Sequence, residues 1–309
     1  MTLVVAGYKQ NGYVWKTDRE QDYTPDRKSG IFIVADSMIS TVTQGGRSPL
    51  VTGFQKIKEI SINVWEPHFI GELFQGYIKI HQQHKCLIAF AGSTLTAQHI
   101  VDSISGHLSN LKIDYVEAYD FKCVIRKGCD SNNLIKNGGG THYCEETFLP
   151  DRDYLNLLNA EYVSEVVEHS INKALQSKKK YVLDPKALNA MRTDIILAIN
   201  CPHIRKDYLY KYSFNHKNDE NGRLNVFCEK ELIETNGIAV IGMVNKYSEQ
   251  ALEIAQNGMN SELNFREKMT DFVVKCVKED STFEIGMPVV VKTLEGVSVK
   301  KTFIPENDV

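Results

Sequence analysis

Apolar and polar positions follow two different periods along this chain, and the period assigns the elements. Thr2 to Tyr8 is a β-branched apolar run and reads as a strand. A charged stretch from Lys16 to Gly30 comes next, and Ile31 to Ala35 forms a second apolar strand that stops at Asp36. Gln44 to Pro49 reads as a turn, and Lys56 to Ile60 alternates as a half-exposed strand does. Cys86 to Ala91 is a buried strand running into Gly92 and Ser93. Beyond it, Ala97, Ile100, Val101, Ile104, Leu108 and Leu111 recur at three-four spacing, which predicts an amphipathic helix with Ser93 near its start as a cap. Val163, Val166, Val167, Ile171 and Leu175 predict a second helix.

The second half opens with strands, and the chain shows no internal repeat. Strands are predicted over 194–200, 208–214, 224–229 and 237–243, helices around 248–255 and 265–276, and closing strands over 289–292 and 297–303. Strands, a helix pair, strands, a helix pair and strands predict one interleaved domain over 1–309, with two sheets between helix pairs. Segments near 9–30, 61–85 and 115–150 read as insertions.

Composition narrows the classes. The 309 residues are 42% hydrophobic and 24% charged, enough for a full core. A formal net charge of -3 provides no field for nucleic acid or an anionic membrane, so neither partner is expected. No apolar run approaches the roughly 18–20 residues of a membrane span. The N-terminus lacks a secretion signal, and seven cysteines, several in apolar runs, suit free thiols in a reducing compartment; a cytoplasmic protein is expected.

The candidate chemistry starts at Met1-Thr2. Removal of Met1 would leave Thr2 with a free α-amine of pKa about 7.7–8, one carbon from the hydroxyl it could deprotonate. One residue would then supply nucleophile and base. A lysine beside that hydroxyl stabilises the developing alkoxide, and a carboxylate keeps the lysine charged and aimed. Asp36 ends a buried strand and Lys56 starts the next alternating one. Gly92, at a strand-to-helix turn, could point its N–H at an oxyanion.

Thr2 to Gly7, Ile33 to Ser37, Lys56 to Ile60 and Ala89 to Ser93 occur in an order that resembles the proteasome β-subunit family of N-terminal-nucleophile hydrolases, as a divergent, bacterial-type member. The resemblance implies an α+β fold, the four-layer αββα sandwich of two antiparallel sheets between helix pairs. It implies catalytic roles for Thr2 (nucleophile), Lys56 (activator), Asp36 (partner of Lys56), Gly92 (oxyanion donor) and Asp280 (support of the amine, with Ser281 beside it). Lys58 shares the strand with Lys56, and only the family's pattern chooses between them. Phe90 and Ser93 are expected near the substrate. The implied activity is a threonine endopeptidase acting on peptides or unfolded proteins as a homo-oligomer, with an ATPase unfoldase or activator as a possible feeder and no cofactor. The turn at Val240-Ile241-Gly242-Met243 lacks the family's serine, and the match around Glu279 to Gly286 is loose.

Other readings stand beside this one. An amidase of the same nucleophile type acting on a small molecule, or a silent scaffold subunit, fits much of the same pattern. Cys123, Cys129, His142 and Cys144 have no familiar zinc spacing and read as ordinary thiols and a histidine in an extended hairpin, so no metal is expected. His99, His107 and His169 lie on predicted helices, with surface or interface roles as the default. Tyr208, Tyr210 and Tyr212 read as one sheet face rather than a base-stacking platform.

Overall fold

A computed structural model describes residues 2–9, 30–44, 46–116, 122–130, 133–136, 149–179, 185–218, 224–258 and 265–306. The first half holds β1 (Leu3–Tyr8), β2 (Ile31–Ala35), β3 (Ile39–Thr43), β4 (Gly46–Val51), β5 (Ile57–Ile70) and β6 (Leu73–Gly92). Helix α1 (Thr94–Leu108), β7 (Leu111–Val116), β8 (Lys122–Arg126), α2 (Asn133–Lys136), α3 (Pro150–Asp153) and α4 (Ala160–Lys179) come next. After α5 (Pro185–Ala190) stand β9 (Thr193–Asn200), β10 (Asp207–Asn218), β11 (Leu224–Ile233) and β12 (Ile238–Gly242). The chain closes with α6 (Val244–Gly258), α7 (Phe265–Glu279), β13 (Val289–Glu295) and β14 (Ser298–Ile304).

The architecture is α+β and mostly sheet. One sheet has five strands in the order β12-β1-β2-β13-β14, and a second has seven in the order β11-β10-β9-β6-β5-β7-β8. Strands β3 and β4 form a separate hairpin, and β4 covers Gly46 to Pro49, most of the stretch expected as a turn. The five-stranded sheet is antiparallel, but β7 lies parallel to β5, with Val64 opposite Leu111. The expectation of two wholly antiparallel sheets fails at that pair, because β6 reaches β7 through a helix instead of a hairpin.

Period-two alternation splits each central strand between two cores. On β1 and β2, Leu3, Val5, Phe32 and Val34 pack with residues of α6 and α7, such as Tyr247, Met269 and Val273. The opposite residues, Val4, Ala6, Ile31, Ile33 and Ala35, meet Leu87, Ala89, Ala91, Ile196 and Ala198 of the other sheet. On β6 the parity repeats, with Cys86, Ile88 and Phe90 packed among residues of α1 and α4. Burial of both faces is why these strands read as continuous apolar runs. Tyr8 also ties the sheets together: its hydroxyl donates to the Ile233 carbonyl (2.9 Å) and accepts from the Leu209 N–H (3.0 Å).

Residues 61–85, expected as an insertion, form the long arms of the β5–β6 hairpin. Most of the 9–30 segment lies outside the described residues, as do 117–121, 131–132 and 137–148 of the 115–150 segment. No helix among the described residues is long and apolar enough to cross a membrane.

Candidate active site

Strand β1 delivers Thr2 to the edge of the inter-sheet core, where it is 5% exposed. Its carbonyl accepts from the Met243 N–H at 2.9 Å, just past β12. Leu3 pairs with Gly242 across the β1–β12 ladder. Gly242 has φ +92°, and a Cβ there would lie 1.8 Å from the Thr2 carbonyl oxygen. Only glycine permits that approach. The turn that lacks the expected serine thus contributes through its glycine, which is the contact with Thr2.

Asp36 comes directly after β2 and is 1% exposed. Its Oδ1 accepts from the Leu3 N–H (2.9 Å), one residue from Thr2, and from Lys56 Nζ (2.8 Å). Its Oδ2 accepts from Lys56 Nζ (2.9 Å), the Met38 N–H (3.1 Å) and the Gly286 N–H (3.3 Å). Lys56 is 4% exposed and also donates to the Met38 carbonyl at 2.7 Å. Burial lowers the Lys56 ammonium from its ordinary pKa, and the Asp36 charge and hydrogen bonds oppose that fall without cancelling it. Lys58, the alternative on the same strand, lies over the Phe54 ring at 5.8 Å from its centroid. Asp36 and Lys56 are therefore brought together, and Thr2 is held one peptide away.

Gly92 ends β6 with φ +116°, and a Cβ would sit 2.1 Å from the Arg192 carbonyl oxygen. The close pass of Arg192 requires glycine there whatever else the residue does. Ser93 caps α1, its side chain accepting from the Thr96 N–H, and its own N–H donates to the Arg192 carbonyl at 3.0 Å. Phe90 is 3% exposed and faces the α1–α4 side, edge-on to Phe54 at 6.2 Å between centroids. Ala91, one residue on, points the other way, and its Cβ would lie 3.2 Å from a Cβ on Gly242.

Asp280 serves a loop. It accepts from the Thr282 hydroxyl (2.6 Å) and from the N–H groups of Glu284 (2.9 Å) and Ile285 (3.3 Å), with Lys246 Nζ at 3.5 Å. Burial raises its carboxyl, but the Thr282 hydroxyl and these N–H groups outweigh that and hold it below the ordinary value. The loop so organised carries Gly286, which donates to Asp36 and accepts from the Ser37 N–H at 3.2 Å. Asp280 thus reaches the Asp36–Lys56 pair through Gly286. Sequence reasoning assigned no site role to Gly242, Met38 or Gly286. Their contributions are backbone groups, and only the two glycines, as turn residues beside apolar strands, carried any signal.

No family model matches the chain, and no curated protein matches it. Among solved structures, the chain is similar to Anbu from Hyphomicrobium sp. strain MC1. That likeness covers 99% of this chain and 88% of the other, at 11% identity and a TM-score of 0.47. Membership of the proteasome β-subunit family, expected from four short motifs, is corrected by these findings. Three of the motifs are short apolar strands that run into Gly7, Asp36 or Gly92, and the fourth, Lys56 to Ile60, alternates polar and apolar residues, patterns that two packed sheets impose for their own reasons. The chemistry of the site therefore has to be read from its side chains and not from the likeness.

Proposed function

We propose that the protein is a hydrolase in which Thr2, with its amine freed by removal of the preceding residue, cleaves peptide or amide bonds. The observation that carries this reading is the Asp36 carboxylate, which grips the Lys56 ammonium with both oxygens and the Leu3 N–H beside Thr2. Both side chains of that pair are almost fully buried. A buried ion pair is weak evidence for stability, since desolvation offsets much of the attraction. Its placement against the residue that starts β1 favours a chemical use.

In the proposed reaction the Thr2 hydroxyl attacks the substrate carbonyl carbon and its proton passes to the Thr2 α-amine. Lys56 lowers the energy of the developing alkoxide, and the Gly92 N–H donates to the oxyanion. Collapse breaks the C–N bond, the leaving amine takes the proton back, and an ester remains on Thr2. Water hydrolyses that ester by the same route. We read the substrate as a peptide and the protein as a threonine endopeptidase, a single domain over 1–309. In the same reading, α1 with α4 and α6 with α7 form the outer layers of an αββα sandwich, and the chain self-associates.

The test is labelling with an electrophile that bridges hydroxyl and amine, such as an epoxyketone, read by intact mass. The expected result is one adduct on Thr2, absent in Thr2→Ala and slowed about 100-fold or more in Lys56→Ala, the scale of losing one electrostatic stabiliser. A blocked Thr2 amine, or labelling indifferent to Lys56, overturns the reading. Engagement of Asp280 with its loop instead of Thr2 favours the second reading, a silent scaffold subunit, and absence of any adduct would support it.

A further inference from the structure

A second cluster of reactive side chains lies apart from the Thr2 site, on the helix-covered side of the seven-stranded sheet. Among the described residues, His107, Cys129 and His169 each place one ligand atom within 4.8 Å of the other two. They come from three elements: the last turn of α1, the turn after β8, and the middle of α4. The Cys129 Sγ lies 3.4 Å from His169 Nε2, and the two imidazoles stand edge to face with centroids 5.2 Å apart. Ligand atoms on a tetrahedral ion at about 2.0–2.3 Å are separated by about 3.3–3.7 Å, so the thiol–imidazole spacing already matches that of a shared metal.

The surrounding hydrogen bonds select the right tautomer. Ser170 is fully buried, and its hydroxyl donates to the Val166 carbonyl at 2.6 Å. With its proton committed there, the Ser170 oxygen can only accept from His107 Nδ1, 2.9 Å away. His107 then carries its proton on Nδ1 and leaves the Nε2 lone pair free. This is the arrangement by which an outer hydrogen bond orients a metal-ligating imidazole. Lys127, beside Cys129 in the same turn, pairs with Asp130 at 3.1 Å. Cys129 is exposed, unlike Cys86, Cys123, Cys201, Cys228 and Cys276, all of them buried.

We infer that His107, Cys129 and His169 form a binding site for a zinc-class divalent cation, with Ser170 as the positioning residue that orients His107. Two imidazoles and a thiolate are a donor set suited to borderline-soft ions and poorly suited to magnesium or calcium. Three protein ligands leave a fourth tetrahedral position for water. The ion would fasten the turn after β8 to the α1–α4 pair. Of the four residues whose spacing gave no zinc pattern and no expected metal, Cys129 belongs to this cluster. Cys123 is buried in the helix-side core, where burial and then Asp153 push its thiol up to about 12, and His142 and Cys144 lie outside the described residues.

The test is cobalt titration of the full chain after chelator treatment, with visible and near-ultraviolet absorption as the readout. Expected are one Co2+ per chain, a tetrahedral d–d envelope, a thiolate-to-cobalt charge-transfer band, and displacement of both signals by Zn2+. Cys129→Ser removes the charge-transfer band, and His107→Ala and His169→Ala each weaken binding at least about 10-fold. Ser170→Ala weakens it about 10–100-fold, as loss of an orienting partner does. His99→Ala, on α1 but outside the cluster, binds as the parent does, and unchanged far-ultraviolet circular dichroism shows that each variant is folded. Absence of a stoichiometric charge-transfer band, or its survival in Cys129→Ser, overturns the inference.

Discussion

At the level of single residues, the candidate site is organised by carboxylates that accept from backbone N–H groups. Asp36 takes Leu3, Met38 and Gly286 besides Lys56, so separate chain segments meet on one side chain. Asp280 does the same for the loop that carries Gly286. Because its folded carboxyl is held below the ordinary value, its contribution is fully present above the unfolded carboxyl's pKa of about 3.9. That contribution fades as pH falls through the lower folded value. In urea denaturation, Asp280→Asn is therefore expected to be less stable than the parent at neutral pH, with the gap closing as the solution is acidified. A gap that is constant or widens in acid would show that Asp280 is not held as an ionised acceptor.

Among the elements, strands and helices obey their apolar period closely. Helix α1 spans Thr94–Leu108 with Ser93 as its cap, and it buries Ala97, Ile100, Val101, Ile104 and Leu108, but Leu111, expected on the same helical face, lies past its end and starts β7. Strands β1, β2 and β9 begin or end within a residue of their sequence signals. Less legible were β3, β4 and β8, whose pairing partners and not their composition make them strands. The Tyr8 hydroxyl is another such case, since its partners Ile233 and Leu209 are more than two hundred residues away. Tyr8→Phe keeps the ring and strands the Leu209 N–H, so a loss of about 1–3 kcal/mol is expected in chemical denaturation. An unchanged midpoint would mean that water replaces the hydroxyl.

Across the whole molecule, the two sheets meet through a layer containing Ala6, Ala35, Ala89, Ala91, Ala198 and Ala239. Alanines stand on both facing surfaces of that layer, and close-packed interiors resist added volume. Ala198 is fully buried in that layer. Ala198→Leu is expected to destabilise the fold by about 1–3 kcal/mol or more, despite its greater hydrophobicity, because the extra carbons push the sheets apart. Guanidinium denaturation checks this, and a more stable variant would reveal space between the sheets. The same layer holds Val4 and Ile33 on the strands that lead to Thr2 and Asp36, so loosening it is also expected to loosen the candidate site.

The linear order of residues was enough to establish the alternation of strands and helices and the α+β class, because apolar period is a local property and both faces of the central strands are buried. It also placed Asp36 and Lys56 at strand ends, where charge next to an apolar run stands out. Folding in three dimensions was needed to show that those two share an ion pair beside Leu3, that β7 runs parallel to β5, and that Asp280 reaches the pair through Gly286. The same holds for Cys129, which meets His107 and His169 from three distant segments. Such meetings depend on which backbone groups face each other after the sheets have packed, and no spacing along the chain encodes that.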